Sequence, residues 1–251
     1  MVKLDDPVWK TVSAAGNDAD KWLQVLTEGK RDIRETIEIV AEDLSHQLSW
    51  YSATAYALPH LAALCGKLSK EDQVFLIAQM GAAIAAEAVC PLVPDTQAYL
   101  EFQEGLEGLR KEIKPLITDP DVHDLLNADG ELGSMFALGA LAVLGDRSHA
   151  YDLWYLSGST WEEGYASCVC GWRDEEIPLT EQPECIEPFE LDAWDKMSLD
   201  NEAVWLNGLL ELAGDTVIAP VLPLLYGEGT CPECGRREPY WTWLDRYREE
   251  M

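Results

Sequence analysis

The sequence has few basic residues. Its 18 lysines and arginines stand against 46 aspartates and glutamates, which gives a net charge of −28 over 251 residues. A field of this sign repels nucleic-acid backbones and anionic membranes, and it speeds association with a basic partner. The composition therefore argues against nucleic-acid and membrane partners and favours a basic protein. Solubility, or adaptation to a salt-rich host, is the alternative explanation of the acid.

Motifs of common enzyme classes are missing as well. The sequence contains no Gly-rich phosphate loop, no Gly-x-Ser-x-Gly elbow and no His-Glu-x-x-His zinc motif. Its four histidines are scattered singly along the chain, at His46, His60, His123 and His149. The sequence therefore predicts a binding protein and no catalytic residues.

A secretory signal and a long uninterrupted apolar run are also lacking. The first residues have no basic flank followed by an apolar stretch. The most apolar segment, 76–93, contains Gln79, Glu87 and Pro91, so we expect it not to span a bilayer. Seven cysteines, an odd number, fit a reducing compartment. These features together predict a cytoplasmic protein.

The excess of acidic over basic residues increases towards the C-terminal end. The net charge is −4 over residues 1–65, −8 over residues 66–150 and −16 over residues 151–251. Acid that served solubility alone would be spread more evenly. Residues 159–196, the acidic insertion, contain several prolines and interrupt the helical pattern. We therefore expect this insertion to contact the partner, through Asp174, Glu175, Glu176, Glu181 and Glu184.

Two cysteine motifs, Cys168-Val-Cys170-Gly171 and Cys231-Pro-Glu-Cys234-Gly235, give the most specific chemical signal. In the second motif the proline fixes φ and the glycine allows a left-handed turn, so that backbone N–H groups can point at the sulfurs. Four thiolates are the usual ligands of a closed, structural zinc site. The sequence therefore predicts one structural zinc ion bound by Cys168, Cys170, Cys231 and Cys234.

Other interpretations of the cysteines remain open at this stage. The two motifs are 60 residues apart, further than in most paired zinc motifs. Unligated reduced thiols, or a disulfide with a redox role, would be compatible with the same residues. Cys185, in the acidic insertion, is a possible substitute ligand, whereas Cys65 and Cys90 have the surroundings of small core residues.

The hydrophobic pattern is helical throughout. Apolar residues recur at helical spacing from Ile33 to Leu48, between charged positions. Three further stretches, 51–64, 135–144 and 217–225, are apolar on nearly all sides and rich in Ala, Gly or Pro. Such helices lie between neighbours, as in the stacked helix pairs of an α-solenoid. Pro59, inside the first stretch, predicts a kink or break after Ala57.

Parts of the sequence resemble bacterial HEAT-like repeat proteins. In the N-terminal part, the resemblance lies in His46-Gln47 followed by the Tyr51–Pro59 segment. In the C-terminal part, it covers residues 153–173 and 222–235, which contain the Cys-x-Cys-Gly pair and the Cys-Pro-x-Cys-Gly knuckle. Proteins of this group are often associated with polymorphic toxin systems, as immunity proteins or their neighbours.

The resemblance implies an all-α, HEAT-like α-solenoid with a small C-terminal zinc-knuckle element. Residues 1–158 would form the helical repeats. Residues 159–251 would form the acidic insertion, the last helical hairpin and the knuckle, within one continuous domain. The implied function is that of an immunity protein that neutralises a basic toxin, such as a nuclease, by occlusion. A protein-interaction scaffold with no toxin partner, or an enzyme of unidentified class, is the alternative.

Overall fold

The chain is mostly helical, which confirms the all-α expectation in its main feature. The computed structural model describes residues 1–16, 18–46, 48–157, 163–178, 183–194 and 198–249. Its α-helices are α1 (Ala19–Glu28), α2 (Ile33–Leu44), α3 (Ala53–Cys65), α4 (Lys70–Ala85), α5 (Gln97–Ile117), α6 (Pro120–Ala128), α7 (Gly130–Leu144), α8 (Arg147–Ser157), α9 (Glu202–Leu212), α10 (Leu222–Leu225) and α11 (Tyr240–Glu249). Its strands are β1 (Glu163–Ser167), β2 (Arg173–Pro178), β3 (Ile186–Glu187), β4 (Glu228–Thr230) and β5 (Arg237–Pro239).

The helix starts follow local capping rules. The Asp32 side chain accepts hydrogen bonds from the backbone N–H groups of Arg34 and Glu35 at the start of α2. At the start of α4, the Ser69 hydroxyl accepts a hydrogen bond of 3.2 Å from the backbone N–H of Asp72 and donates one to its carboxylate. Such caps satisfy N–H groups that have no partner within the helix. They fix the residues at which α2 and α4 begin.

The helices pack in two rows. In the first row α1 contacts α3 and α3 contacts α5, whereas in the second row α2 contacts α4, α4 contacts α7 and α7 contacts α9. The two rows meet where α1 packs on α2, α3 on α4 and α5 on α7. From α1 to α5 the helices thus alternate between the two rows along the chain.

Small residues let α4 and α7 cross closely, as their composition predicts. A Cβ atom added at Gly81 would lie 2.6 Å from the Cα of Gly139, and one added at Gly139 would lie 2.3 Å from the Ile77 carbonyl oxygen. Both distances are too short for any residue with a side chain. Glycine at both positions therefore fixes how deeply these two helices pack together.

The segment from Lys70 to Val89 is long and apolar enough to cross a membrane, judged by length and composition alone. Inside the fold, 67 % of its most apolar window is buried. It comprises α4 and the 3₁₀ helix Ala86–Val89, and α4 is flanked by α2 and α7. The core position of α4 accounts for its apolar character without a membrane.

Two expectations about segments that contain proline need correction. The predicted break after Ala57 is wrong as far as the helix is concerned, because α3 continues through Pro59 to Cys65. Pro59 is buried, and packing against α5 holds α3 together at that point. The apolar stretch 217–225 does not form a full helix but the 3₁₀ turn Ala219–Val221 and the four-residue α10, since a proline lies near the start of each.

The last third adds two small antiparallel sheets to the helices. One is the β1–β2 hairpin, and the other has the strand order β3-β4-β5. Helix α9 packs on α6 and α7, while α11 packs on β1, β4 and β5. Contacts thus cross the predicted boundary between residues 158 and 159, and the two-part division stays a prediction.

Candidate metal centre

The two cysteine motifs form the turns of two hairpins. Cys168 and Cys170 lie between β1 and β2, and Cys231 and Cys234 lie between β4 and β5. The backbone of the two turns is bonded alike. The N–H of Cys168 donates to the carbonyl oxygen of Trp172 at 2.9 Å, and the N–H of Cys231 donates to that of Arg236 at 2.9 Å. Two segments 60 residues apart therefore form similar knuckles, of which the second is one residue longer.

Each knuckle ends at a glycine in the left-handed region. Gly171 has φ +92° and Gly235 has φ +71°. Their N–H groups donate to the carbonyl oxygens of Cys168 and Cys231 at 2.8 and 2.9 Å. Residues with a Cβ atom rarely adopt such φ values, so glycine at these positions lets the chain reverse tightly around the sulfurs. The left-handed turn predicted at Gly235 is confirmed.

The knuckles bring four sulfurs together. The Sγ atoms of Cys168, Cys170, Cys231 and Cys234 all lie within 4.8 Å of one another. The Sγ atoms of Cys168 and Cys234 are 3.7 Å apart, and so are those of Cys170 and Cys231. A tetrahedral ion with metal–sulfur bonds of about 2.3 Å has sulfur–sulfur edges of about 3.8 Å. The cluster therefore has the size and ligand set of a four-thiolate metal site.

The sulfurs also perturb one another's protonation. The backbone N–H of Cys170 lowers the pKa of Cys168, but burial and the neighbouring thiols outweigh it and raise this pKa to about 12. Burial raises the pKa of Cys231, yet hydrogen bonds from the backbone of Cys234 and Glu233 and from neighbouring thiols lower it to about 7. Within one cluster the pKa of Cys168 is thus raised and that of Cys231 lowered. A divalent ion would allow the remaining thiols to ionise as well.

Helix α11 holds the two knuckles against each other. The Trp243 ring packs on Trp172, with a centroid distance of 5.3 Å, and its indole N–H donates to Glu238 on β5. Arg246 forms an ion pair of 2.8 Å with the same Glu238 and donates to the Ser167 carbonyl oxygen on β1. The aromatic residues of α11 are therefore packing residues.

The structure argues against the disulfide alternative. All seven cysteines are free thiols. The shortest contacts within the cluster, 3.7 Å, are far longer than a disulfide bond. Cys185 lies outside the four-sulfur group, and its backbone carbonyl oxygen accepts a hydrogen bond from Thr230 on β4. Cys65 is a buried core residue as expected, whereas Cys90 is exposed.

The predicted partner-binding residues lie along the acidic insertion. Asp174, Glu175 and Glu176 are on β2, and Glu184 is exposed in the turn before β3. Glu181 lies outside the described residues. Asp174 is partly buried, and after burial itself its charge is a further cause of the raised pKa of the Cys185 thiol. Whether these residues contact a partner stays a prediction.

Sequence reasoning missed a half-buried polar cluster between the helices and the cysteine element. Glu202 on α9 accepts hydrogen bonds from His149 at 2.9 Å, from the Tyr226 hydroxyl at 2.6 Å and from the backbone N–H of Asp146 at 2.8 Å. The His149 ring stacks on Trp241 of α11 at a centroid distance of 4.0 Å. The cluster therefore joins α8 and α9 to α10 and α11.

Charge and burial oppose each other in this cluster. Burial raises the pKa of Glu202, but the hydrogen bonds from His149 and Tyr226 outweigh burial, so the pKa is lowered. Burial and the charge of Glu202 raise the pKa of Tyr226 well above 10. No sequence pattern marks these partners, because they are 24 to 56 residues apart along the chain.

Comparison of the chain with protein-family models, with curated proteins and with solved structures finds no match.

We predict one metal ion per chain. Protein purified without chelator should contain close to one equivalent of metal by elemental analysis, because four convergent thiolates form the complete tetrahedral ligand set of one ion. Cys231→Ser should lose the metal and loosen the C-terminal third, since binding energy at such sites appears as folding energy. Cys90→Ser, an exposed cysteine outside the cluster, is the matched control, and Cys185→Ser tests the substitute ligand. Metal-free wild-type protein with an unchanged melting temperature would contradict the prediction.

We further predict that Glu202→Gln destabilises the protein by roughly 1.5–3 kcal/mol at neutral pH, since it weakens charge-assisted hydrogen bonds in a half-buried cluster. The folded-state pKa of Glu202 is lowered, so its contribution is present above the ordinary value of 4.5 and is lost as the pH falls through the folded-state value. The difference in unfolding free energy between variant and wild type should therefore shrink below about pH 4.5. Urea unfolding at low protein concentration measures it, with Glu211→Gln, exposed on α9, as control. A difference that does not change with pH would disprove the assignment.

Proposed function

We propose that this protein is an immunity protein that binds a cognate basic bacterial toxin in the cytoplasm and neutralises it by occlusion. The observation that carries the proposal is the net charge of −28. A negative surface of this strength attracts a cationic active site, such as that of a nuclease, whose own substrate is a polyanion. The resemblance to proteins of toxin loci specifies the kind of basic partner.

The placement of the acid supports a role at the surface. Among the acidic side chains whose burial the structure describes, three are buried: Asp43, Glu87 and Glu101. Glu87 forms an ion pair of 2.8 Å with Arg147, and Glu101 accepts a hydrogen bond from the backbone of Val2. The other acidic side chains whose burial is described are at least partly exposed, so their charges can attract a basic partner.

The proposal extends to the fold. A HEAT-like α-solenoid stacks helix pairs so that each helix contacts the next helix of its own row. The contacts of α3 with α1 and α5 in the first row, and those of α2 with α4, α4 with α7 and α7 with α9 in the second, follow this scheme. Such a stack offers an extended surface for protein binding. The insertion of α6 between α5 and α7 makes the repeats imperfect.

We also propose that the metal is zinc and that its role is structural. Zinc is the usual ion of four-cysteine sites, and such a closed site leaves no position for substrate. It would connect the β1–β2 hairpin to the β4–β5 hairpin, whose sheet includes β3 of the acidic insertion. The ion would thus hold the most acidic part of the chain in a fixed shape.

Co-expression with the toxin encoded beside this protein tests the function. We predict rescue of cells from toxicity, because occlusion of the active site requires no chemistry, only a tight interface with a desolvated centre. Complex formation with a catalytically inactive toxin variant should be measurable at micromolar concentration or below. If toxic cells are not rescued and no complex forms, the scaffold interpretation replaces this one.

A second prediction concerns the acidic insertion. Replacing its five predicted contact residues by Gln or Asn should slow association with the toxin and flatten the salt dependence, since rim charges act mainly on k_on. The residues to replace are Asp174, Glu175, Glu176, Glu181 and Glu184. A matched control neutralises five exposed acidic residues elsewhere: Asp5, Glu35, Glu107, Asp124 and Glu131. Equal association rates and salt slopes for the two variants, measured by stopped flow, would leave the insertion no special role.

A further inference from the structure

The four-cysteine cluster has a buried half and an exposed half. Cys168 and Cys231, the first cysteine of each knuckle, are both 1 % exposed and belong to the hydrophobic core. Cys170 and Cys234, the second cysteine of each knuckle, are exposed residues and line a surface pocket of about 540 Å³. A small molecule in solvent can therefore approach the cluster from one side, whereas the protein covers the other side.

Each exposed cysteine has a buried cysteine of the other knuckle as its neighbour. The Sγ atoms of Cys234 and Cys168 are 3.7 Å apart, and so are those of Cys170 and Cys231. The sulfurs of a disulfide are about 2.05 Å apart, so each pair needs to close by about 1.7 Å. Side-chain rotation can supply a movement of this size. An exposed cysteine beside a second cysteine is a common arrangement at sites that oxidise to a disulfide.

The other cysteines lie in different surroundings. Cys65 is buried, and burial raises the pKa of its thiol to about 12. Cys185 is partly buried, and burial raises the pKa of its thiol as well. Protonated thiols react slowly with oxidants. Cys90 is exposed but lies outside the four-sulfur cluster, so it serves as the comparison for exposure alone.

We propose that the four-cysteine cluster is an oxidation site, at which two disulfides form between the knuckles, Cys168–Cys234 and Cys170–Cys231. The inference rests on the proposed zinc site and requires no toxin. Sulfur bound to zinc is a thiolate, which is the form that attacks a peroxide.

The oxidant is a peroxide, and the reaction has two steps. The thiolate of Cys170 or Cys234 attacks one oxygen of hydrogen peroxide, the O–O bond breaks, and hydroxide leaves and takes up a proton from solvent. The thiolate of the buried neighbour then attacks the sulfenic sulfur, and the S–O bond breaks with loss of a second hydroxide, which is also protonated. One peroxide is thus reduced to two waters for each disulfide. Two such reactions consume all four ligands and release the zinc ion.

The two disulfides would keep the knuckles joined after the metal has left. They would link residues 66 and 61 positions apart, which restricts the unfolded chain strongly. A disulfide within one knuckle would instead leave the β1–β2 and β4–β5 hairpins without a link. The oxidised, metal-free protein should therefore retain the fold of its C-terminal third better than the reduced, metal-free protein does.

Peptide mapping tests the pairing, because trypsin cuts the two knuckles into separate peptides. Residues 148–173 and 197–236 each contain a basic residue only at their C-terminal end. Zinc-loaded Cys90→Ser protein, which lacks the exposed thiol outside the cluster, is treated with hydrogen peroxide, and the remaining thiols are blocked with N-ethylmaleimide after denaturation. We expect release of about one equivalent of zinc, a mass loss of about 4 Da before blocking, and two peptides that stay joined until they are reduced.

Single variants assign the partners within the joined peptides. In Cys168→Ser, the disulfide should join Cys170 to Cys231 and leave Cys234 blocked by N-ethylmaleimide. In Cys170→Ser, it should join Cys168 to Cys234 and leave Cys231 blocked. If these variants do not fold without the metal, fragmentation of the joined peptides from the Cys90→Ser protein gives the same assignment.

Stability provides a second measurement. The oxidised protein should melt roughly 5 °C or more above reduced protein from which a chelator has removed the metal, because the disulfides restrict only the unfolded chain. An equal or lower melting temperature would contradict the inference. So would disulfides within each knuckle, or zinc and thiols that persist in wild-type protein after its Cys90 has been oxidised.

The metal content of the starting protein separates this inference from the proposed zinc site. Zinc-loaded protein that forms no disulfide between the knuckles would refute the inference, while the zinc site stands. Disulfides between the knuckles in protein that binds no zinc would support the pairing and refute the zinc site.

Discussion

The arrangement of the C-terminal third depends on four sulfurs held within 4.8 Å of one another. This third carries a net charge of −16, so mutual repulsion opposes its compaction. Its sheets are short, since β3 has two residues and β4 and β5 have three each. Strands of this length are not stable alone. A divalent ion shared by the two knuckles would join segments 60 residues apart and supply positive charge at the same point.

Packing around the sulfurs extends this constraint to the helices. Trp243 and Arg246 connect α11 to both hairpins, while Trp241 of the same helix stacks on His149 of α8. Glu202 then connects His149 to Tyr226. Loss of the metal should therefore be transmitted first to α11 and next to the Glu202 cluster. The α4–α7 crossing, which depends on Gly81 and Gly139, lies outside this chain of contacts.

Features governed by local rules could be predicted from the sequence. The start of α2 at Ile33 and the Ser69–Asp72 cap follow from helical spacing and hydrogen bonding within a few residues. The apolar stripe was predicted to continue to Leu48, but α2 ends at Leu44 and Leu48 has a positive φ of 59°. The cysteine quartet was also predictable, because each motif encodes its own knuckle. Pro59 was misjudged because tertiary packing decides the outcome there. The Glu202 cluster could not be found, since its residues meet only in the folded chain.

The acidic residues of this protein fall into two physical classes, and net charge describes only one. Exposed carboxylates act together at long range, and salt screens them within about 8–10 Å. Asp43 is buried, and its interaction with a cation would be much less screened. An exposed field can bring any basic protein near, so it cannot select one among many. Selection requires a desolvated interface centre in which shape and paired charges fit one partner, and the exposed carboxylates alone do not supply it.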